Sequence, residues 1–518
     1  MVRLLLCLVL LLSGCFATVV RGKKDVCRGH TPNDNPLVTQ MTAELMDEIR
    51  AEPDRLFPPR FAFGTATAPY QIESGNAATD WAAWEKLGAI QNGDRADDGP
   101  QHERHFSEDI ALMRGLHHDT YRLGIEWGRL FPTKEQFLAE PPQPDPVAYQ
   151  YYRDLLTELR QSGIEPMVTL HHFTLPSWLA SPPIASPAGV LEEEYPALLA
   201  RFAAWSADAY GDLVDLWITI NEPGAVAIGG YIGGVFPPGH FLAFDEFTLS
   251  HERFADAHAQ AYDELRGHDR TDASGDGVAA LISFATHNRL WLPIDAGSAK
   301  DVRGAKRVRY ISNLLLLDAA VCGNFDRNFD EKLDEQDRVN DPRLKARLDF
   351  IALNFYGTGW VSGADLEPFR GIPNIINPAS GRVHSDFGWD VAPETLLPVL
   401  DELKQYELPI YITENGIADA MDTRRPRFIV DSLLAVSSAI ARGHDVRGYY
   451  HWSLIDNFEW ASGFCPRFGL FGVDLTDPNR ARIEREGARV FREIAAVRSV
   501  PDALRDRYVY GAEGLRCK

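Results

Sequence analysis

The fold of this chain is indicated most clearly by residues 216–223, which read LWITINEP. Its first five residues are apolar or β-branched, as in a strand, and the polar pair Asn221-Glu222 follows where that strand ends. The same order recurs along the chain, with polar loops and longer segments between the runs. Eight such runs are predicted as strands: Phe61–Thr67, Asp119–Trp127, Glu165–Phe173, Leu216–Asn221, Val278–Thr286, Asp349–Tyr356, Pro409–Glu414 and Val446–Leu454.

Helical spacing is found between the predicted strands. The segments are Ser107–Leu116, Tyr149–Gly163, Tyr195–Tyr210, Glu246–Gly267 and Arg427–Arg442. Strands that alternate with helices imply parallel pairing, and eight such units predict a closed (β/α)8 TIM barrel of the α/β class as a single catalytic domain. The alternative is an open doubly wound sheet, but no glycine-rich phosphate loop follows the first strand.

Polar and aromatic residues gather at the carboxyl ends of six of the eight runs. They are Glu126-Trp127, His171-His172, Asn221-Glu222, Asn354 with Tyr356, Glu414-Asn415 and His451-Trp452. A single polar strand end is usually an ordinary loop start. Because the carboxyl ends of all barrel strands share one face, six together predict an active site there.

Two of these strand ends carry glutamates, in TINEP at 219–223 and in ITENG at 412–416. Glycoside hydrolysis requires two carboxyl groups that flank the scissile bond, one to donate a proton and one to act at the anomeric carbon. The structural alternative for one glutamate is an ion pair with a loop arginine. Two glutamates in matching positions favour the catalytic interpretation, with Glu222 and Glu414 as the pair.

The sequence resembles glycoside hydrolase family 1 from about Phe57 to Val500. The motifs in order are FAFGTAT at 61–67 with YQIE at 70–73, YRL at 121–123, LHHFTLP at 170–176, NEP, TENG and HWSLIDNFEW at 451–460. The resemblance implies a retaining double displacement, with Glu222 as acid/base and Glu414 as nucleophile. In that geometry the two carboxyl groups lie about 5–5.5 Å apart.

The resemblance also implies roles for the residues around the pair. Arg122 and Tyr356 match positions that keep the nucleophile ionised and oriented, and Tyr356 is also expected to bind the sugar; a structural ion pair is an alternative for Arg122. Asn221 matches the residue that bonds the sugar 2-hydroxyl. The remaining sugar-binding positions are Gln71, His172, Glu459 and Trp460, with Trp452 as an aromatic floor. Core packing is the commoner role of a tryptophan outside such a context.

The implied function is that of an exo-acting β-glucosidase that needs no cofactor. Glu459 stands where relatives that hydrolyse 6-phosphosugars carry serine, so an unphosphorylated sugar is expected. A β-galactosidase, a β-fucosidase or a transglycosidase is the alternative within the class, and a catalytically silent sugar-binding homologue is the alternative outside it. The net charge of −22 argues against nucleic acid as a partner and suits an uncharged or cationic substrate.

The amino terminus predicts export. Residues 1–22 resemble a signal peptide, because a basic start precedes an apolar run too short to cross a bilayer. That run ends in LSGC at 12–15, which resembles a bacterial lipobox and makes Cys15 a candidate for lipidation; plain secretion is the alternative. Residues 23–55 are predicted as a linker with one short helix, 56–500 as the catalytic domain and 501–518 as a tail.

Two further expectations concern cysteines and a metal. Cys27 and Cys517 lie near opposite ends of the exported chain, so they either form a disulfide or remain two unrelated thiols. An aspartate-rich loop resembles an EF-hand at five ligand positions but lacks its turn glycine, so a solvated loop is favoured over a calcium site. The five positions are Asp326, Asn328, Asp330, Asp334 and Asp337.

Overall fold

The computed structural model describes residues 26–27, 36–41, 44–180, 188–377, 379–512 and 517. The predicted signal segment 1–22 and the lipidation candidate Cys15 lie outside these residues. Within the described ranges, no helix has both the length and the apolar character needed to cross a membrane.

Eight parallel strands close a barrel, which confirms the predicted fold class. The strands in chain order are β1 Ala62–Ala66, β2 Thr120–Gly124, β3 Glu165–His171, β4 Leu216–Asn221, β5 Leu281–Pro293, β6 Ile351–Gly363, β7 Gly371–Asn374, β8 Ile410–Asn415, β9 Val446–Trp452, β10 Phe471–Val473 and β11 Arg482–Glu484. From β1 to β6 each strand pairs with the next, β6 pairs with β8, and β9 returns to β1. β7 is an antiparallel addition to β6, and β10 and β11 form a separate hairpin.

Helices lie between the strands, as the spacing predicted. The α-helices of the described residues are Leu45–Arg50, Pro69–Ile72, Asp80–Lys86, His102–Gly115, Trp127–Leu130, Lys134–Leu138, Pro146–Gln161, Tyr195–Tyr210, Pro223–Ala227, Phe244–His268, Ala299–Arg309, Leu315–Cys322, Leu396–Leu403, Arg425–Ala441, Glu486–Val497 and Asp502–Arg505. Helix Pro146–Gln161 shows how the sequence forms them: the Asp145 side chain accepts from the amides of Val147 and Ala148, and proline occupies the first turn. Its buried face then packs against the barrel.

The apolar core has two layers. The larger cluster lies between the helices and the outer faces of the strands. A smaller cluster contains residues from several barrel strands, including Met167 of β3, Ile218 of β4, Ala352 of β6 and Tyr450 of β9. Because these interior side chains are buried, the barrel is filled rather than open.

β5 and β6 run further than the sequence predicted, to Pro293 and Gly363 rather than to Thr286 and Tyr356. Beyond the barrel they remain paired with each other, from Leu290 with Thr358 to Pro293 with Val361. The predicted ends were wrong because the chain turns polar at 286–289 while the strand continues past them. On this side the barrel wall therefore rises above the active-site face.

Two disulfides, Cys27–Cys322 and Cys465–Cys517, link the amino- and carboxyl-terminal extensions to the barrel domain. The predicted alternatives for Cys27 and Cys517, a mutual bridge or two free thiols, are therefore both wrong. Each terminal cysteine instead meets a cysteine of the barrel domain, with Cα atoms 5.3 and 5.7 Å apart. The amino-terminal extension does contain the expected short helix, and Arg50 at its end bonds Asp431 at 2.7 Å.

The aspartate-rich loop uses its side chains to shape turns. Asp326 accepts from the amides of Asp330 and Glu331, at 3.2 and 2.7 Å. The side chains of Asn328, Asp330, Asp334 and Asp337 likewise accept from backbone amides two to ten residues away. Among the described residues, no group of three or more acidic, histidine or cysteine side chains is arranged to hold a metal ion.

Candidate active site

A cavity of about 580 Å³ opens at the carboxyl ends of the barrel strands. It is lined by both candidate catalytic glutamates and by all seven residues predicted to bind the sugar. Those nine residues are Gln71, His172, Asn221, Glu222, Tyr356, Glu414, Trp452, Glu459 and Trp460. The fold thus brings together side chains that lie up to 389 positions apart in the chain.

Glu414 lies next to the end of β8 and accepts hydrogen bonds from two side chains. Arg122 Nη1 donates to its Oε1 at 2.6 Å, and the Tyr356 hydroxyl donates to its Oε2 at 2.8 Å. Arg122 is itself 1% exposed, so this ion pair is screened from water. These contacts fix the orientation of the carboxylate, because each of its two oxygens accepts from a different side chain.

Glu222 stands where β4 passes into helix Pro223–Ala227, with a left-handed backbone at φ 43°. A register shift between Ile218 and Asn221 precedes it. Asn354 Nδ2 donates to Glu222 Oε1 at 2.7 Å, and His287 Nδ1 lies 3.2 Å from Glu222 Oε2. The left-handed backbone conformation costs a residue other than glycine about 1–2 kcal/mol, and such strain is typical of functional positions.

Two asparagines connect the carboxyl groups through Arg122. Arg122 Nη2 donates to Asn221 Oδ1 at 2.6 Å, and Arg122 Nη1 reaches Asn354 Oδ1 at 3.2 Å. Asn354 Nδ2 donates both to Asn221 Oδ1 and to Glu222. A continuous buried network therefore runs from Glu414 through Arg122 and Asn354 to Glu222.

Burial and neighbouring groups shift both pKa values. Burial raises the pKa of Glu414, Arg122 lowers it and the charge of Glu222 raises it again, to about 7. Burial also raises the pKa of Glu222, but the neighbouring His287 and the hydrogen bond from Asn354 lower it, and the net direction is down. These net directions are opposite to those expected of a nucleophile and an acid.

The contacts nevertheless assign the proton to the side of Glu222. Two nearby carboxyl groups titrate as a pair, so their pKa values belong to the pair rather than to one residue. Both oxygens of Glu414 accept hydrogen bonds, one of them from a guanidinium cation, and such contacts favour the ionised form of a carboxyl group. Glu222 Oε2 lies 3.2 Å from His287 Nδ1, and Glu222 Oε1 accepts from the neutral amide of Asn354. Glu414 is therefore better placed than Glu222 to be ionised, and the proton of the pair is assigned to Glu222.

The part of the cavity lined by Gln71, His172 and Glu459 carries polar and aromatic side chains of the kinds that bind sugars. Gln71 Nε2 donates to Glu459 Oε2 at 3.2 Å, which aligns an amide beside a carboxyl group. Gln71 Oε1 and His172 Nδ1 are buried and find no hydrogen-bond partner within the described ranges. Burial raises the pKa of Glu459, the Asn457 amide lowers it, and Glu414 and Glu222 raise it further, to about 8. The rings of Trp452 and Trp460 each lie nearly parallel to the His172 ring, with centroids 6.1 Å away.

Several residues of the site were missed by the sequence reasoning. Asn354 is predicted from the sequence only as a polar strand end, yet it contacts Glu222 directly. His287 and Arg289 are not predicted as site residues, because the predicted fifth strand ends at Thr286. The signal was present in the polar stretch HNR at 287–289, which interrupts an otherwise apolar run.

The sequence model of glycosyl hydrolase family 1 matches residues 54–500. The chain belongs to this family. A β-galactosidase of Pyrococcus woesei is 31% identical, over 88% of this chain and 100% of that protein. A coniferin β-glucosidase of Pinus contorta is 30% identical, over 84% of this chain and 91% of that protein. The solved β-glycosidase from Pyrococcus horikoshii is 31% identical with a TM-score of 0.76, over 88% of this chain and 98% of that structure.

As a member of glycosyl hydrolase family 1, the protein is a hydrolase of the β-glycosidase type. The relatives are named for different sugars, a galactose and a glucose, at nearly equal identity. Family membership therefore establishes the class of reaction and leaves the preferred sugar to be argued from the site.

Proposed function

We propose that the protein is a retaining exo-β-glycosidase and, in particular, a β-glucosidase. One observation carries the proposal: two buried glutamates share a cavity, and one of them accepts hydrogen bonds from Arg122 and Tyr356 on both oxygens. Such a carboxylate is held ionised and aimed, as a nucleophile must be. The other, Glu222, is then the group left to carry the proton of the pair, as a general acid must.

The reaction follows from these two states. Glu222 donates its proton to the glycosidic oxygen while Glu414 attacks the anomeric carbon, so the bond to the leaving group breaks as a glycosyl ester forms. Glu222, now ionised, then removes a proton from water, and the water oxygen displaces Glu414 from the anomeric carbon. The predicted carboxyl separation of about 5–5.5 Å belongs to this double displacement.

The sugar-binding end suits an unphosphorylated sugar such as glucose. Gln71 and Glu459 form an adjacent acceptor and carboxyl pair that suits two neighbouring hydroxyl groups. Glu459 also opposes a phosphate at this end, because it supplies no positive charge and an added anion would lie among three acidic groups, Glu459, Glu414 and Glu222. An unphosphorylated sugar is therefore proposed. A β-galactosidase or β-fucosidase remains the second candidate, since a relative is named β-galactosidase.

A hydrolysis panel tests this proposal. Purified protein is assayed with p-nitrophenyl β-glucoside, β-galactoside and β-fucoside, and kcat/KM should be highest for the β-glucoside. Proton NMR of the first sugar released should show the β-anomer. Release of the α-anomer would overturn the retaining mechanism, a higher value for another sugar would overturn the glucosidase assignment, and identical behaviour of wild type and Glu222→Ala would favour the silent homologue.

We also propose that the protein is exported, with a lipid on Cys15. Two disulfides support export, because such bonds persist in oxidising compartments. A Cys15→Ser variant should move from the membrane fraction to the soluble extracytoplasmic fraction. If the variant stays in the membrane fraction, the lipid anchor is refuted, and if neither form leaves the cytoplasm, export is refuted.

A further inference from the structure

The cavity wall formed by the extended end of β5 and the helical turn Tyr310–Leu314 carries polar side-chain atoms with no hydrogen-bond partner. Buried and without a partner in the described part of the chain are Arg289 Nε and Nη2, His287 Nε2, Trp291 Nε1 and Ser312 Oγ. All four residues line the cavity. Unbonded polar atoms in such a place are costly, at about 1–3 kcal/mol each, unless a ligand completes them. At the sugar-binding end, Gln71 Oε1 and His172 Nδ1 are likewise buried and without a hydrogen-bond partner among the described residues.

Arg289 is the centre of this wall. Its side chain is 2% exposed and its Nη1 donates to the carbonyls of Tyr356 and Thr358, at 3.3 and 3.1 Å. The guanidinium carbon lies 4.8 Å from the centre of the Trp389 ring. Burial lowers the pKa of Arg289 to about 10, so it still carries its charge at neutral pH. The acidic groups that act on it, Glu222 and Asp390, are bonded to other residues.

The wall lies on the leaving-group side of the reaction centre. The sugar-binding side chains come from the ends of β1, β3, β4 and β9, whereas Arg289 and Trp389 stand beside β5 and β6 across the barrel. Glu222, at the end of β4, lies between the two groups. Next to Arg289, the rings of Phe387 and Trp389 are parallel with centroids 4.6 Å apart, so Trp389 packs against both Arg289 and Phe387, and both rings line the cavity.

We propose that this wall is a binding site for a carboxylate on an aromatic leaving group of the glycoside. The inference rests on the proposed function. The wall offers arginine and indole donors together with a histidine ring nitrogen, all without a partner among the described residues. A carboxylate accepts only, and a planar guanidinium binds it in a two-point geometry. The ring that carries the carboxylate packs against the parts of the Phe387 and Trp389 rings that line the cavity. A local arginine thus departs from the uncharged or cationic substrate that the net charge suggested.

The rival explanation is that Arg289 only braces Trp389 and the β6 backbone. Bracing does not depend on the charge of the substrate, whereas carboxylate binding does. The decisive quantity is therefore the ratio of kcat/KM for 4-carboxyphenyl β-glucoside to that for 4-carbamoylphenyl β-glucoside. Because the intrinsic reactivities of the two leaving groups cancel between wild type and variant, a change in this ratio reports recognition of the charge.

Arg289→Met should lower this ratio at least about tenfold relative to wild type, the effect of one charged hydrogen bond. Arg289→Lys, which keeps the charge, should recover part of the ratio. An unchanged ratio in Arg289→Met would leave only the bracing role and overturn the proposal. If the glucosides are poor substrates, the aryl glycosides of the preferred sugar are used in the same comparison.

Wild-type protein provides a test that does not depend on folding of a variant. Benzoate should compete with a neutral aryl glycoside at least about tenfold more tightly than benzamide, and the advantage should shrink as salt rises. Glucuronate and inorganic phosphate test whether a sugar acid or a phosphate is the source of the anion; tighter binding of either than of benzoate overturns the aromatic assignment. If no aryl glycoside is cleaved, the proposed function itself fails; if neutral ones are cleaved and benzoate gains nothing over benzamide, only this inference fails.

Discussion

Replacing Tyr356 by phenylalanine isolates one hydrogen bond to the nucleophile. The Tyr356 hydroxyl donates to Glu414 Oε2 at 2.8 Å, while its ring packs edge-to-face against Trp389 and Phe468, with centroids 5.6 and 6.3 Å away. Phenylalanine keeps the ring and removes only the donor. The ionised form of Glu414 then loses a partner that its protonated form does not need.

The size of the effect follows from that loss. A hydrogen bond to a charged group contributes about 1.5–3 kcal/mol, and one pKa unit corresponds to about 1.4 kcal/mol. The pKa of Glu414, raised by burial to about 7, should therefore rise by a further one to two units, roughly. Since attack requires the ionised form, kcat/KM at acidic pH should fall about ten- to hundredfold, and the deficit should narrow as pH increases.

The assay is kcat/KM for p-nitrophenyl β-glucoside measured between pH 5 and 9 (roughly two units on either side of the Glu414 pKa). The acid limb of the Tyr356→Phe profile should move to higher pH. Tyr406→Phe is a matched control, because Tyr406 is also buried and donates to a carboxylate, Asp318, at 2.7 Å outside the cavity. That variant should lose stability without a shift of the limb. Superimposable profiles of Tyr356→Phe and wild type would refute the reasoning.

Four further outcomes are expected. Glu222→Ala should slow glycosides of poor leaving groups about 10²–10⁴-fold, and azide should restore turnover as a β-glycosyl azide; absence of this rescue argues against an acid/base role. Because the pKa of Glu459 is raised to about 8, its contribution to the free energy of unfolding is present below pH 4.5 and is lost as pH rises to 8. Glutamine does not titrate, so the free energy of unfolding of Glu459→Gln, measured with urea, should rise relative to that of wild type by up to about 5 kcal/mol between those pH values. Cys465→Ser with Cys517→Ser opens a loop of 52 residues and should cost about 4 kcal/mol in the same assay; a change under about 1 kcal/mol would refute this. EDTA followed by Ca²⁺ should leave Tm unchanged, since Asp326 accepts backbone amides; a calcium-dependent rise would reinstate the metal loop.

The barrel could be predicted because its signals are local. Each run such as 216–221 carries its own strand propensity, and the alternation with helices determines the pairing. The catalytic glutamates were predictable for the same reason, since they stand directly at strand ends that must converge. The lengths of β5 and β6 were not, because their continuation depends on pairing with each other above the barrel.

The remaining misses depend on distant partners. Nothing near Cys27 in the sequence indicates Cys322, which lies 295 residues away. His287 and Arg289 can be recognised as site residues only from their contacts with Glu222 and Trp389, which lie on other strands and loops. Their unbonded donors become visible only when every neighbouring acceptor has been placed.

The central claim, that Glu414 forms the glycosyl intermediate, is tested most directly by trapping that intermediate. An aryl 2-deoxy-2-fluoro-β-glucoside destabilises the charged transition states of both steps, and its reactive leaving group lets the first step outpace the second, so the covalent intermediate accumulates. Peptide mapping by mass spectrometry should then find one fluoroglycosyl group per chain, attached to Glu414. A group attached to Glu222 or Glu459 would contradict the assignment of roles, and the absence of any covalent adduct alongside release of the α-anomer would contradict the double displacement itself.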